Sequence, residues 1–175
     1  MSDTTAAGVS SAFTADMAHL LDASMKKIRN CVAQIDDQQV WWRPQESLNS
    51  IGNLLLHLAG NLRQWGIVHV LQQDDRRDRD SEFSADGGHT RDELLAHLTE
   101  TVTEAQAVMQ KLTADDLLSR RIIQGFDVSV LEALGHTVTH FTGHTHQIIT
   151  LTRLILGDNY EYDWDPTKPR TSVPA

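Results

Sequence analysis

Residues 129–157 read SVLEALGHTVTHFTGHTHQIITLTRLILG. The stretch opens with Ser129 and Glu132, whose three-residue spacing is that of a helix-capping box. Apolar residues then recur at helical period as far as Gly157, a residue type that commonly follows the end of a helix. The sequence therefore predicts one long helix over this stretch, with both of its ends marked.

Three further segments have the same helical period. They are predicted at about 10–35, about 49–73 and 90–112, and the last begins with a capping box of Thr90 and Glu93. Residues 113–118 are expected to add one short turn. The second helix contains three glycines, which weaken it locally and permit close approach of a neighbouring helix: Gly52, Gly60 and Gly66. Four amphipathic helices joined partly by long connections are typical of a four-helix bundle, so the predicted fold class is all-α.

The segments between the helices are also informative. Residues 120–130, RRIIQGFDVSV, contain β-branched residues around a central Gly-Phe pair and predict an extended connection or a short hairpin. Residues 74–89, DDRRDRDSEFSADGGH, are dense in charge and are interpreted as a solvated loop. A single domain is expected over 1–175, with its core at about 10–157 and an irregular tail over 158–175. Three prolines lie in that tail: Pro166, Pro169 and Pro174.

Composition and charge exclude several classes of partner. The chain has 175 residues and a net charge of −9, and its pI is about 5.3. A nucleic-acid binder or a protein held on an anionic membrane needs a basic face, so neither is expected. The N-terminus does not resemble a secretory signal, and Cys31 is the only cysteine, interpreted as a core residue. A cytoplasmic protein acting on a small molecule is the expectation.

The histidines of the last helix are the main indication of chemistry. His136, His140 and His144 recur every four residues, which places them on one helix face. Two such imidazoles can hold one metal ion, and a third ligand from another helix would complete an open site. Successive four-residue steps rotate by about 40°, so His136 is expected behind the ligands or in the pocket wall. His146 should point elsewhere. The alternative interpretation is a polar face rich in threonine and histidine, without a metal.

A second polar stripe lies on the second helix. His57 stands among leucines, and its own face also carries Asn53, Asn61 and Gln64. A buried polar stripe is costly unless its groups find partners. The stripe is therefore compatible with a surface face, with a core histidine that has a hydrogen-bond partner, or with the missing metal ligand.

Two motifs resemble a known family. SLNSIGNLLLHLAGNLRQW at 47–65, preceded by a Trp-Trp-Arg-Pro loop, resembles the second helix of the DinB/YfiT-like superfamily. HFTGHTHQIITLTRLI at 140–155 resembles its fourth helix. The resemblance implies a DinB-like four-helix bundle with a divalent metal held by three histidines, usually nickel or zinc, with iron and manganese as further candidates. By position, the first ligand falls on His57 and the other two on His140 and His144.

The resemblance also implies a reaction. Several members of the superfamily are S-transferases that use a low-molecular-weight thiol such as bacillithiol or mycothiol, and many members form homodimers. Two departures, Gly143 and His146, alter the expected rim of the pocket, so the substrates of other members do not transfer. Asn61 and Gln64, one and two turns beyond His57, are expected to orient a ligand.

The leading hypothesis is that the chain is a metal-dependent enzyme, specifically a thiol S-transferase. The alternatives are a metal-dependent hydrolase, a non-catalytic metal- or ligand-binding protein of stress-response type, and a structural module whose histidines hold no metal.

Overall fold

The computed structural model describes residues 3–164, and the three tail prolines lie outside that range. Six α-helices and one two-stranded hairpin account for most of it. The helices are α1 (Asp3–Ala33), α2 (Ile51–Arg63), α3 (Arg79–Ser84), α4 (Arg91–Met109), α5 (Ala114–Leu118) and α6 (Val130–Leu156), and the strands are β1 (Arg120–Ile123) and β2 (Phe126–Ser129). The prediction of an all-α fold is confirmed. Within residues 3–164, no helix has the length and apolar character needed to cross a lipid bilayer.

The four long helices form the bundle. α1 packs against α4 and α6, and α2 packs against the same two helices, so α1 and α2 lie diagonally opposite each other. The long connections before α2 and before α6 allow this non-sequential order. α2 and α6 run antiparallel, because His57 faces His140 while Asn61, one turn later, faces Thr137, one turn earlier. The interface of α2 and α6 carries the predicted site residues.

Most helix boundaries follow local signals. Capping boxes begin α2 at Ser50, α4 at Thr90 and α6 at Ser129. The predicted hairpin is present, and its Gln124-Gly125 turn has positive φ at both residues, 51° and 84°. That backbone conformation is typical of a type I′ turn. α1 begins earlier than predicted, at Asp3, because residues 3–10 contain nothing stronger than one glycine to stop a helix.

The end of the second helix differs from the prediction. The α-helical hydrogen bonding of α2 ends at Arg63, and a π-helical turn follows directly over Gln64–Val68. In this turn the His69 N–H donates to the Gln64 carbonyl at 3.2 Å. Such a turn accommodates one extra residue and rotates the side chains that follow. Trp65 consequently packs with Ile123 of the hairpin and Ala133 of α6.

The interpretation of residues 74–89 as a solvated loop was right only in part, since most of these residues are exposed. The segment contains α3, and Glu82 within it is only 7% exposed. The Asn53 amide on α2 donates to the carbonyls of Glu82 at 3.0 Å and Ala85 at 2.8 Å, which fixes the segment on the bundle. Among these many charged residues, Arg77 and Glu82 form a buried ion pair. A charged run looks the same in sequence whether its side chains face solvent or each other.

We expect Gly157→Ala to destabilise the end of α6. Gly157 has φ 56° and ψ −126°, a conformation that a residue with a Cβ rarely adopts. The loss should be about 1 kcal/mol, which lowers Tm by about 2–4 °C in a domain of this size. Gly8→Ala is the matched control, since a Cβ at this exposed position in α1 meets nothing within 4 Å. Thermal unfolding of both variants tests the difference, and an unchanged Tm for Gly157→Ala would contradict it.

Candidate metal centre

The structure brings together the three histidines that were predicted as ligands. His140 Nε2 lies 3.1 Å from His57 Nε2, across 83 positions of sequence, and 3.0 Å from His144 Nε2. One ligand atom from each residue lies within 4.8 Å of the others. These three side chains could hold a metal ion. That they do so remains a prediction.

The partners of the outer ring nitrogens favour one tautomer for two of the rings. His57 Nδ1 lies 2.9 Å from Glu82 Oε2, and His144 Nδ1 lies 2.5 Å from Gln147 Oε1. Both partners are acceptors, so in each neutral ring Nδ1 carries the proton and Nε2 presents a lone pair to the centre. His140 Nδ1 is buried and has no hydrogen-bond partner among the described residues.

Hydrogen bonding alone does not satisfy this centre. His140 Nε2 can carry one proton and can donate it to only one of its two neighbours, so one inward lone pair always remains without a partner. A cation satisfies all three. Zinc–nitrogen distances of about 2.0–2.1 Å in a tetrahedral site place the nitrogens about 3.3 Å apart. The two separations about His140, 3.1 and 3.0 Å, are a few tenths of an ångström shorter, and the ligand atoms of His57 and His144 lie within 4.8 Å of each other. The donor set therefore fits a divalent ion.

Burial keeps the centre in the form that a metal requires. Burial lowers the pKa of His140 to about 3, and positive charge on His144, His57, His136 and Arg77 acts in the same direction. Burial also lowers the pKa of His144, although its hydrogen bond to Gln147 opposes that shift. Both shifts favour the neutral ring, and only the neutral form offers a lone pair to a metal.

Glu82 is the site residue that the sequence did not reveal. Its carboxylate accepts from Arg77 Nε and Arg77 Nη2, both at 2.7 Å, as well as from His57. Burial raises the pKa of Glu82. The hydrogen bonds from Arg77 and His57 together lower it by more than burial raises it, so the pKa lies below its ordinary value. The only hint in the sequence is Phe83, the single large apolar residue of residues 74–89. Its ring packs 4.6 Å from the His57 ring, measured between centroids.

Gln64, expected to orient a ligand, lies behind Glu82 instead. Its Oε1 accepts from Arg77 Nη1 and from Gln124 Nε2, both at 2.8 Å, and its Nε2 donates to Asp75 at 2.5 Å. The π-helical turn and the hairpin tip are thus linked to the ion pair. Gln64 is connected to the histidine cluster through Arg77, and no hydrogen bond joins it directly to His57, His140 or His144.

Asn61 and His136 lie further along the interface of α2 and α6. Asn61 Oδ1 accepts from Thr137 Oγ1 at 2.8 Å, so this buried pair joins the two helices beside the histidines. His136 is exposed, stacks on Trp65 at 4.3 Å between ring centroids, and lies 6.0 Å from the His140 ring. It therefore lies beside the centre, and its role in a pocket wall stays a prediction.

An open groove of about 490 Å³ adjoins the centre on the side of Gln147. Most of its large side chains are apolar, and they come from α2, α6 and the loop before α2. Its lining includes Leu48, Leu54, Gly143, Gln147, Leu151 and Leu154. Because Gln147 also bonds to His144, one side chain belongs to both the groove and the centre.

Comparisons with known proteins agree with this fold. Residues 8–164 match the sequence profile of DUF1572, a family described as protein of unknown function. A conserved protein from Enterococcus faecalis is similar in structure, with a TM-score of 0.65, 19% identity, and coverage of 83% of this chain and 98% of that chain. A DinB-like protein from Bacillus subtilis, YjoA, has a TM-score of 0.63 and 14% identity, with 84% and 96% of the two chains covered. At these identities the structural likeness shows the fold alone. No curated protein sequence matches the chain.

The metal-free protein should lose stability as pH falls from 7 to 5. The pKa of His140 in the folded protein, about 3, lies below its ordinary value of 6.5, so the unfolded chain binds more protons in this window. Stability therefore rises with pH there. Discounted for its partial exposure, the contribution of His140 is about 1 kcal/mol between pH 7 and pH 5.

Urea unfolding of chelator-treated protein at the two pH values measures this effect. The His140→Asn variant lacks the titrating ring and should show a smaller dependence on pH. An identical dependence in wild type and variant would contradict the assignment.

Proposed function

We propose that this chain, which belongs to the DUF1572 family of proteins of unknown function and has the DinB-like fold, is a metal-dependent enzyme. The proposed ligands are His57, His140 and His144, and the proposed ion is nickel or zinc. The observation that carries the proposal is the convergence of three Nε2 atoms, with separations of 3.0 and 3.1 Å about His140. The acceptors beside His57 Nδ1 and His144 Nδ1 favour the tautomer that a metal needs.

The accessibility of the centre supports catalysis over a purely structural role. Structural zinc sites are usually closed by four protein ligands, whereas catalytic sites have three and keep one position for substrate or water. Here three histidines make up the cluster found within residues 3–164. His57 is buried, but His140 and His144 are only half-buried, so a small molecule can approach from the side of α6.

We propose transfer to a low-molecular-weight thiol as the reaction. A divalent ion at this centre would act as a Lewis acid that lowers the pKa of a coordinated thiol or water. The chain's own thiol does not serve: Cys31 is fully buried in the core, and burial raises its pKa. The thiol would therefore enter as a cosubstrate.

The residues around the centre suggest how the two substrates would be arranged. Glu82 and Gln147 hold the His57 and His144 rings in place, which keeps the ligand geometry fixed during turnover. The groove beside Gln147, with Leu54 and Leu151 in its lining, would receive the carbon skeleton of an electrophile. His136 would border the opposite side.

We also propose that the chain forms a homodimer. This proposal rests on the family resemblance, and light scattering coupled to size-exclusion chromatography tests it.

Metal content provides the first test. Untagged wild-type protein should retain about one ion per chain, and His140→Ala should bind the same ion more than about 100-fold more weakly, because a ligand is lost. His19→Ala is the matched control, since that exposed ring on α1 belongs neither to the three-histidine cluster nor to the groove beside Gln147. Elemental analysis and chelator competition measure both quantities. Wild-type protein that binds no metal would refute the proposed function.

Turnover provides the second test. Metal-loaded protein, assayed with a panel of thiols and electrophiles, should form thioether or thioester products in wild type and His19→Ala, and not in His140→Ala. Product formation that requires water but no thiol would identify a hydrolase instead. The absence of any metal-dependent turnover across the panel would favour a binding protein.

A further inference from the structure

Gly60 lies on α2 three residues after His57, and the space of its missing side chain is occupied. A Cβ at this position would lie 2.0 Å from Glu82 Oε1, 2.8 Å from Glu82 Cδ and 2.9 Å from Arg77 Nε. Contacts shorter than 3.0 Å are essentially never tolerated by a real Cβ. Glycine is among the poorest helix formers, so its presence in mid-helix calls for a reason. Here the reason is packing: without a Cβ at Gly60, the Glu82 carboxylate can lie against α2.

The carboxylate is bound on every side that faces the bundle. Glu82 Oε1 accepts from Arg77 Nε, and Oε2 accepts from Arg77 Nη2 and His57 Nδ1. Arg77 Nη2 also lies 3.1 Å from His57 Nδ1, but both groups are donors, and their shared target is Oε2. Arg77 is held in turn by Gln64, whose Oε1 accepts from Nη1 at 2.8 Å.

The backbone of the segment is fixed as firmly as its side chains. Asn53, one turn before His57, donates to the carbonyls of Glu82 at 3.0 Å and Ala85 at 2.8 Å. Asp78 caps the start of α3 by accepting from the Ser81 N–H. Glu82 is therefore positioned by α2 itself, the same helix that carries His57.

This arrangement decides which nitrogen of His57 is free. A neutral imidazole has one proton and can carry it on either nitrogen. With the proton on Nδ1 and donated to Glu82, Nε2 faces His140 and His144 as a lone pair. With Glu82 displaced, the proton can reside on Nε2, in the place where the cation would bind.

We propose that Glu82, clamped by Arg77 and admitted by Gly60, is a positioning residue that fixes the tautomer and ring orientation of His57 and thereby strengthens metal binding. The inference rests on the proposed metal site and adds three residues to it, none of which contacts the ion. Partners of this kind commonly change metal affinity about 10–100-fold when they are removed.

Gly60→Ala and Glu82→Gln test the proposal, each with a matched control. Gly135→Ala places a Cβ on α6 where nothing lies within 4 Å. Glu104→Gln removes a carboxylate that pairs with Arg63 at the surface. Zinc affinity is measured by competition with a chromophoric chelator. The tautomer of His57 is read from the ¹⁵N NMR shifts of its ring in chelator-treated protein.

Both test variants should bind zinc about 10–100-fold more weakly than wild type, and both controls should stay within about twofold. Metal-free wild type should show His57 protonated at Nδ1, and Glu82→Gln should show a mixture of tautomers. If Gly60→Ala does not fold, the two measurements on Glu82→Gln decide alone.

Two results separate this proposal from the proposed function. Folded Gly60→Ala and Glu82→Gln with wild-type zinc affinity would overturn the positioning role and leave the metal centre standing. Wild-type protein that binds no zinc, nickel or other divalent ion would refute the proposed function, while an Nδ1–H tautomer that depends on Glu82 would still be measurable. A wild-type His57 protonated at Nε2 in the metal-free protein would overturn the positioning role directly.

Discussion

The Nε2 atoms of three histidines converge between α2 and α6, and much of the surrounding structure is arranged around them. His57 and His140 face each other at 3.1 Å, and His144 approaches the same point from the next turn of α6. Polar groups placed inside a bundle are costly unless each finds a partner. Glu82 and Gln147 supply partners for two of the outer nitrogens. His140 Nδ1 has no such partner among the described residues. The inward-facing nitrogens are also not fully satisfied by one another, and a cation would satisfy them, which distinguishes the cluster from an ordinary set of core histidines.

Features with local causes were the ones that sequence could predict. The bounds of α6 follow from Ser129 and Gly157, because a capping box and a left-handed stop act within a few residues. The placing of His140 and His144 on one face follows from helical period alone. The assignment of His57 to the same cluster does not follow from helical period. Spacing offered it only as one of several interpretations of a polar stripe, and it was the family resemblance that selected His57 as the third member.

Features with tertiary causes escaped the sequence. Residues 74–89 have the composition of a solvated loop, and nothing local except the adjacent Phe83 distinguishes Glu82 from the other acids around it. Its inward position depends on a guanidinium from Arg77 and on a gap at Gly60, which lies on another helix. A buried carboxylate without such partners would be strongly unfavourable. The ion pair therefore exists only in the folded bundle, and a reading of the chain segment by segment could not assemble it.

The glycines of α2 connect the fold to the site. Gly52 and Gly60 were expected to permit close approach of a neighbouring helix, but it is single side chains that fill their space: a Cβ would lie 2.8 Å from the Trp41 ring at one position and 2.0 Å from Glu82 at the other. Alanine at either position would raise intrinsic helix propensity by about 1 kcal/mol and would displace what packs there. α2 therefore owes its stability to tertiary contacts more than to its own sequence. The positions that weaken it as an isolated helix flank His57 on both sides, and one of them brings the hydrogen-bond partner of that histidine into place.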